Sequence, residues 1–362
     1  MNGDLMKRVT RAIAHSAAVA LFCFNSEAYA WTVITLHPAG AIASGATSVH
    51  GSQQGGSAYV SGDWRASLWT GSASSWVDLH PAGATRSFVD GVSGGQQVGS
   101  ALFGGAFQAG LWTGSSASWV SLHPAGASES AAFGTDGAQQ VGEAFVSGAW
   151  HASLWTGSSS SWVDLHPGGA SESVAYGIQG HHQVGYAVIG GNKHASLWTG
   201  TAGSWVDLHP AGASESVAYS VHGGQQGGGV IIGGAWNASL WTGTAGSWVN
   251  LHPAGAIESR VFGVYGGQQV GYAVVGGSSR ASLWSGTAGS WVDLAAFLPS
   301  QYIDSTAQAI YTSGGVTYVV GVARNINAGG LQEALMWVVP EPGSMLILGP
   351  GLAAVVLCRR KR

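Results

Sequence analysis

Six histidines of the chain stand in the same tripeptide, Leu-His-Pro, at a fixed interval of 43 residues. They are His37, His80, His123, His166, His209 and His252. Imidazole is a common metal ligand and general base, so a ring of such residues could bind metal or move protons. A residue present in every copy of a repeat usually serves the repeat itself. We therefore favour a packing role, in which each imidazole hydrogen-bonds its loop and packs on the neighbouring repeat.

Two glycine-rich patterns resemble catalytic or phosphate-binding motifs. Residues 91–95, Gly-Val-Ser-Gly-Gly, fit the G-x-S-x-G pattern of a serine nucleophile. The positions equivalent to Ser93 are Asp136, Gln179, His222 and Tyr265, which indicates a variable turn. Residues 94–99 lack the helix and lysine of a phosphate-binding loop and also indicate a β-turn. We predict that the protein is not an enzyme and uses no cofactor or metal.

One turn position of the repeat changes its residue from copy to copy. Its residues are Trp64, Phe107, Trp150, Lys193, Trp236 and Ser279, followed by Arg65, Gln108, His151, His194, Asn237 and Arg280. Exposed aromatic rings beside polar side chains are typical of sugar-binding surfaces, because a pyranose face is apolar and its rim forms hydrogen bonds. The candidate ligand-binding residues are therefore Trp64, Phe107, Trp150 and Trp236. The alternative is that these rings lie flat over the strands as packing.

The elements that position these residues follow from the same 43-residue interval. Two tryptophan series keep it, one at Trp69, Trp112, Trp155, Trp198, Trp241 and Trp284, the other at Trp76, Trp119, Trp162, Trp205, Trp248 and Trp291. The copy at 172–209 shows four strand-like stretches, at 172–178, 183–189, 194–199 and 204–208. Four strands in about 43 residues match a β-propeller blade. The first strand carries small residues, which predicts that it is innermost, and the tight turn between Trp198 and Trp205 predicts that their rings meet.

The count of blades predicts how the ring closes. Seven triplets of strands end at the first tryptophan series and at Trp337, and seven fourth strands begin near Thr32 and at the second series. The counts are offset, because residue 31 begins a lone fourth strand and the seventh triplet, at 308–337, lacks one. We predict an all-β, seven-bladed β-propeller over residues 31–338, closed by its N-terminal strand. An open β-solenoid would leave both ends unpaired and is less favoured.

Composition excludes several classes of partner. Only 8% of the residues are charged, and residues 31–342 contain six basic and 15 acidic side chains. Binding a phosphate backbone needs many lysines and arginines, so we expect no nucleic-acid partner. The two cysteines, Cys23 and Cys358, lie outside the repeats, which offer neither a disulfide framework nor zinc spacing.

Residues 1–30 have the pattern of a Sec-type signal peptide. Lys7, Arg8 and Arg11 precede an apolar stretch, and Ala28-Tyr29-Ala30 is a small-x-small cleavage pattern. We expect the Sec translocon to export the chain and cleavage after Ala30 to leave Trp31 as the N-terminus. An uncleaved anchor is the alternative, but its apolar core is short for a hydrocarbon layer of about 30 Å.

Residues 339–362 have the pattern of a second targeting signal. They contain Pro340-Glu341-Pro342, an apolar run at 345–358 and four basic residues at the end, a pattern that favours a transient hold in the membrane. In this order the three parts resemble the PEP-CTERM sorting signal of Gram-negative bacteria. The resemblance implies recognition and cleavage by an exosortase-type protease near Pro-Glu-Pro. It also implies delivery to the cell surface or extracellular matrix of a bacterium that makes exopolysaccharide.

The repeats resemble a second family. Residues 177–186, Gly-Ile-Gln-Gly-His-His-Gln-Val-Gly-Tyr, and 194–198, His-Ala-Ser-Leu-Trp, are similar to the extracellular HAF repeat. That family pairs a Gly-Ile-Asn-like turn and Val-Gly-Tyr with a later His-Ala-Phe-Leu-Trp, so Ser196 departs from it. The resemblance spans nearly the whole middle of the chain and lends no defined activity.

Three functions follow from these observations. We favour a non-catalytic surface or matrix protein, whose propeller is an interaction scaffold for exopolysaccharide or other surface proteins. The second is a lectin-like module that binds exopolysaccharide through the turn aromatics. The third is an enzyme with a site on the propeller face. It is least favoured, because the irregular copy at 301–327 offers only Asp304 and Arg324 as isolated charges.

Overall fold

Residues 31–340 form seven antiparallel sheets of four strands each, in a computed structural model that describes these residues. Each sheet is one blade, and the first strands of the seven blades line a central channel. The predicted all-β, seven-bladed β-propeller is confirmed. The strands are numbered β1–β28 in chain order.

The blades repeat one order of strands. The first strands are β2 (Ala43–His50), β6 (Arg86–Ser93), β10 (Glu129–Thr135), β14 (Ser173–Gln179), β18 (Glu215–His222), β22 (Glu258–Tyr265) and β26 (Tyr302–Ser313). The second strands are β3 (Gln53–Val60), β7 (Gln96–Phe103), β11 (Gln140–Val146), β15 (His182–Ile189), β19 (Gln225–Ile232), β23 (Gln268–Val275) and β27 (Val316–Asn325). The third strands are β4 (Asp63–Trp69), β8 (Ala106–Trp112), β12 (Ala149–Trp155), β16 (Asn192–Trp198), β20 (Ala235–Trp241), β24 (Ser278–Trp284) and β28 (Leu331–Pro340).

The fourth strands are shorter than the sequence predicts. They are β1 (Thr32–Thr35), β5 (Val77–Asp78), β9 (Val120–Ser121), β13 (Val163–Asp164), β17 (Val206–Asp207), β21 (Val249–Asn250) and β25 (Val292–Asp293). One-turn 3-10 helices precede six of them, at Ala73–Ser75, Ser116–Ser118, Ser159–Ser161, Ala202–Ser204, Ala245–Ser247 and Ala288–Ser290. Two more 3-10 helices, Leu294–Phe297 and Ile326–Ala328, lie in the seventh blade region. The predicted strand at 204–208 shrinks because Ser204 belongs to its helix, where its hydroxyl bonds the Thr201 carbonyl.

The ring closes through β1. This strand pairs antiparallel with β28, with Val33 opposite Trp337, and the Leu36 N–H donates to the Ala334 carbonyl at 2.9 Å. Closure by the N-terminal strand is therefore confirmed. Because β28 reaches Pro340, the propeller extends two residues past the predicted boundary at 338 and includes the first residue of Pro-Glu-Pro.

The core lies between the blades. Trp198, which is fully buried, ends β16 and packs on Val141 and Leu154 of the preceding blade. Its predicted ring contact with Trp205 is replaced by a hydrogen bond, in which the Trp205 indole N–H donates to Ser196 Oγ at 2.9 Å.

Blade two is the exception to this arrangement. Gly110 takes the place of the serine, and the Trp119 ring occupies the vacated space. The Trp112 and Trp119 rings are therefore in contact, with centroids 4.6 Å apart. The predicted ring pair thus forms in the blade that lacks the serine hydroxyl.

Each first strand contains a β-bulge at the channel. In β14 the register shifts between Ala175 and Gly177, so Tyr176 has no partner on β15. A Cβ on Gly185, opposite the bulge, would lie 1.8 Å from the Val174 carbonyl oxygen, and a Cβ on Gly177 would lie 2.8 Å from the Tyr219 oxygen of the next blade. The expected small residue on the innermost strand is thus needed at Gly177, and a second glycine is needed opposite the bulge on β15.

The predicted signal peptide at 1–30 and the part of the sorting tail at 341–362 lie outside the described residues. They include the predicted cleavage residues Ala28 and Ala30 and the apolar segment of the tail. Within residues 31–340, no helix is long and apolar enough to cross a membrane.

Candidate functional site

The Leu-His-Pro histidines join neighbouring blades. His209 follows β17, and its Nε2–H donates to the Ala213 carbonyl at 3.2 Å. Because a carbonyl only accepts, the neutral ring carries its proton on Nε2, and Nδ1 accepts from the Ser216 hydroxyl at 2.8 Å. Ser216 Oγ accepts in turn from the Ala195 N–H of the preceding blade at 2.8 Å. These are the contacts of the packing interpretation, and they occupy both ring nitrogens.

A second histidine stacks on this group in two blades. In the fourth blade the His194 and His209 rings lie 4.0 Å apart with an angle of 13° between planes, and His194 Nδ1 lies 2.8 Å from Asp207 Oδ2. Burial, with the neighbouring His194, lowers the pKa of His209 below its usual value. His166 repeats this arrangement beside His151, and its pKa is lowered for the same reasons. A neutral ring is favoured at both positions.

These groups do not assemble a reactive centre. Ser216 is completely buried, so its hydroxyl cannot reach a substrate. Ser93, of the G-x-S-x-G pattern, ends β6 at a hairpin turn into β7, which is the β-turn that the sequence predicts. Across the described range 31–340, no group of three or more His, Cys, Asp or Glu side chains is placed to hold a metal ion.

The Gly-Gly-Gln-Gln turns lock the blades together. Gln97 is fully buried, and its Oε1 accepts from the Gly114 N–H at 2.8 Å within its own blade. Its Nε2 donates to Gly95 O and to Gln53 Oε1 of the preceding blade, each at 3.1 Å. The sequence reasoning missed this role, although a glutamine that recurs in six of the seven copies was the available signal.

The four turn aromatics lie on the face of the Leu-His-Pro loops and are half-buried, contrary to the expected exposure. They are Trp64, Phe107, Trp150 and Trp236. Trp150 meets Phe145 edge-on at 5.2 Å, and the Arg260 guanidinium lies 4.2 Å from the Trp236 ring centroid. The structure does not gather the four into one site, because the ring contacts of Trp150 and Trp236 join them to none of the other three within residues 31–340.

A continuous aromatic strip does form across the first two blades. Phe88 of β6 lies 6.3 Å from Trp64 and 6.2 Å from Phe107, measured between ring centroids. Tyr59 extends the strip, with an edge-on contact to Trp64 at 5.6 Å. Two of the predicted residues are therefore joined through a ring that the sequence analysis did not single out.

The seven bulge residues line a cavity of about 180 Å³ on the channel axis. In ring order they are Thr47, Asp90, Phe133, Tyr176, Tyr219, Phe262 and Gln308. Consecutive centroids from Phe133 to Phe262 lie 5.3, 5.3 and 5.2 Å apart. We call Phe133, Tyr176, Tyr219 and Phe262 the aromatic arc. The remaining three residues give the ring a polar side.

Asp90 is the charged member of this ring. Its carboxylate has no hydrogen bond or ion pair among residues 31–340. It keeps some contact with the channel, yet dense protein around it disfavours the charged form, and this burial raises the pKa of Asp90 to about 7. Thr47 differs, because its hydroxyl donates to the Val89 carbonyl at 2.8 Å.

The sequence reasoning missed this ring. A bulge cannot be read from alternation of polar and apolar residues, because the extra residue interrupts the period of two. A signal was nevertheless present, since these positions vary between copies whose neighbouring positions hardly change.

The family model described as PEP-CTERM protein-sorting motif matches residues 338–362. The chain carries a PEP-CTERM sorting motif. This confirms the resemblance based on Pro340-Glu341-Pro342 and the basic end. A PEP-CTERM motif implies export, sorting to the cell surface and recognition by exosortase-type machinery.

Solved structures match the chain at low identity, whereas no curated protein sequence matches it. TolB from Acinetobacter baumannii is 13% identical, with a TM-score of 0.48, and the match covers 63% of this chain and 58% of TolB. A puromycin hydrolase mutant complexed with PGG is 12% identical, with a TM-score of 0.54, over 80% of this chain and 53% of that one. This PEP-CTERM chain thus spans little more than half the length of either.

A third match allows a comparison of ring closure. The β-propeller domain of the Trilobed protease from Pyrococcus furiosus is 9% identical, with a TM-score of 0.52, over 82% of this chain and 95% of that one. It is described as having an open velcro topology, whereas β1 closes the present ring. Likeness at these identities shows the fold alone.

Proposed function

We propose that this exported propeller acts at the cell surface as a non-catalytic interaction scaffold. The observation that carries the proposal is the engagement of its recurring polar side chains in contacts between blades. Ser216, His209 and Gln97 form their hydrogen bonds with neighbouring backbone and side chains. A nucleophile and base need free orbitals facing a substrate, and these pairs face one another instead.

The partner proposed is exopolysaccharide or another surface component of the producing cell. To test this, the exported protein is incubated with purified exopolysaccharide and with the surface protein fraction. We expect retention on one of them without change in polysaccharide chain length or peptide masses. Product formation that grows with time and with protein concentration would contradict the scaffold role. Loss of retention after heat unfolding is the control for a folded surface.

A second candidate is a lectin-like module on the aromatic strip. The strip favours it because Tyr59, Trp64, Phe88 and Phe107 join into one half-buried aromatic surface at the face. We expect replacement of Trp64 and Phe107 by Ala to weaken exopolysaccharide retention about tenfold or more, since hot-spot aromatics contribute about 2 kcal/mol or more.

The matched control replaces Trp150 and Trp236, which lie outside the strip, by Ala. Equal loss in both double variants would point to general destabilisation. Unchanged retention after all four replacements would exclude the turn aromatics as the site.

A further inference from the structure

We propose that the channel cavity binds a small organic cation of the quaternary-ammonium type, between the aromatic arc and the Asp90 carboxylate. This site is separate from the surface that a scaffold would present to its partners. Either proposal can therefore fail without the other.

The shape of the arc favours a cation over a flat sugar face. The planes of consecutive rings meet at 45°, 41° and 69°, so the four rings curve around the axis and form no flat platform. A curved set of aromatic faces surrounds an alkylated ammonium group, whose charge is attracted by the ring quadrupoles. Four adjacent blades each contribute one ring to the arc, whereas other positions in these blades carry the same residue type from blade to blade.

The Asp90 carboxylate is the second group that would recognise a cation. Asp90 lines the same cavity as the arc and is one blade removed from Phe133. An ionised carboxylate without a partner is costly inside protein, and a bound cation would remove this cost. Gln308, which also lines the cavity, likewise has no hydrogen-bond partner in the described chain, and neither does the Tyr176 hydroxyl. An oligosaccharide would need many more free donors and acceptors than these three side chains offer.

The charges around the arc also favour a cation. Glu143 and Glu172 lie close enough to help burial raise the pKa of Tyr176, and Glu143 has no hydrogen bond or ion pair within residues 31–340. Arg260 lies close enough to Tyr219 to oppose the rise that burial causes in the Tyr219 pKa, but Glu258 pairs with it, with 3.3 Å between Nη2 and Oε1. The chain places two of its own cations on nearby rings, with Lys193 Nζ 4.4 Å from the Tyr186 centroid and Arg260 over Trp236. No cation of the chain is recorded over the arc among the described side chains.

The size of the cavity limits the ligand. A volume of about 180 Å³ accommodates choline or tetramethylammonium, and it is below the range of about 300–1,000 Å³ that drug-sized ligands occupy. The innermost strands leave little room beside it, because a Cβ on Gly91 would lie 2.8 Å from the Phe133 carbonyl oxygen and one on Gly134 would lie 2.7 Å from the Tyr176 carbonyl oxygen.

Calorimetric titration of the exported protein tests the proposal. The probes are choline and tetramethylammonium chloride, with sodium chloride at matched ionic strength as the reference. The third probe is the neutral isostere of choline in which carbon replaces nitrogen. We expect both cations to bind and the isostere to bind at least tenfold more weakly. Failure of both cations to bind, equal binding of the isostere, or binding of a monosaccharide in their place would overturn the proposal.

Three variants locate the site. Asp90→Asn keeps the shape and removes the charge, and we expect it to weaken cation binding about ten- to a hundredfold. Tyr176→Leu should weaken it several-fold by removing one ring of the arc. Asp63→Asn removes a carboxylate at the turn between β3 and β4, away from the cavity, and should bind as the parent does. Unchanged affinity in Asp90→Asn, with an unfolding profile showing a folded protein, would exclude the channel as the site.

Discussion

At the residue scale, the role of a side chain in this propeller depends on whether the same residue recurs at its position in the other blades. Serines, histidines and glutamines that recur build the contacts between blades, as Ser216, His209 and Gln97 do. Asp90 stands in one blade alone, and its cost to stability is not shared by its equivalents, which are uncharged. Its effect can therefore be isolated by a single substitution.

Asp90→Asn should change how stability depends on pH. Burial raises the pKa of Asp90 from 3.8 to about 7, so between these values the folded chain holds a proton that the unfolded chain has lost. The parent therefore loses stability as pH rises through this interval, and the variant does not. We expect the variant's advantage to be near zero at pH 4 and to reach at most about 4 kcal/mol above pH 7. Chemical unfolding at several pH values measures it, and a pH-independent difference would refute the assignment.

A pair of glycine substitutions should behave oppositely. In Gly110→Ser the new Cβ meets the Trp119 ring, which can move to the position that its equivalents take beside a serine. In Gly99→Ala the new Cβ would lie 2.0 Å from the Phe88 carbonyl oxygen, which is fixed in the bulged strand. We expect the first variant to unfold within about 1 kcal/mol of the parent and the second to lose about 3 kcal/mol or more. Thermal and urea unfolding compare them, and similar losses would contradict this account.

At the scale of elements, the sequence was informative about strands and less so about irregularities within them. The interval of 43 residues predicted the strand order and the closing role of β1. The turns between the strands were predictable because they carry glycines at the required places. Gly190 and Gly191, with φ of 59° and 89°, form such a turn between β15 and β16. The bulges, the two-residue fourth strands and the bond from Trp205 to Ser196 were not predicted. They depend on contacts between strands or blades that no local pattern encodes.

The closing strand β1 offers a test of the ring. Deleting residues 31–37 removes Leu36, which is completely buried, and exposes the edge of β28. We expect the free energy of unfolding to fall by at least about 2–5 kcal/mol and the truncated chains to associate through that edge. A synthetic peptide of residues 31–38 should reverse this association, because an added strand can pair with an exposed edge.

The matched control is the same peptide with Val33→Pro, which cannot form the full ladder with β28. Scattering reports association and thermal unfolding reports stability. Equal rescue by both peptides would show that β1 does not act by strand pairing. Unchanged stability and no association after the deletion would show that the ring does not need β1.

At the scale of the whole molecule, the contacts between blades depend on neutral histidines. Burial and a neighbouring histidine lower the pKa of His166 and of His209. Below about pH 6.5 the unfolded chain therefore binds protons at these residues that the folded chain does not bind. Stability contributed by these residues is therefore complete above that pH and is lost as pH falls. Protonation would also turn Nδ1 of His209 into a donor and leave the Ser216 hydroxyl without its acceptor.

Replacing His166 and His209 by Gln should reduce this sensitivity to acid. The double variant should be less stable at pH 8 by about 1–3 kcal/mol, since two contacts between blades are altered. Between pH 8 and pH 5 it should lose less stability than the parent, because two protonation events are gone. Unfolding temperatures across this range measure both effects. An identical slope in variant and parent would show that these histidines do not govern acid stability.

The position of β28 determines how the ring bears a load. This strand is an interior strand of its sheet, with β27 on one side and β1 on the other. Its pairs with β1 and β27 both include Val338, two residues before Pro340. A pull applied at Pro340 along the strand would therefore shear two hydrogen-bonded ladders together and would not peel a single edge strand. A pull on the C-terminal side of the propeller thus acts on a strand that is paired on both sides, and the strand that closes the ring also resists the extraction of β28.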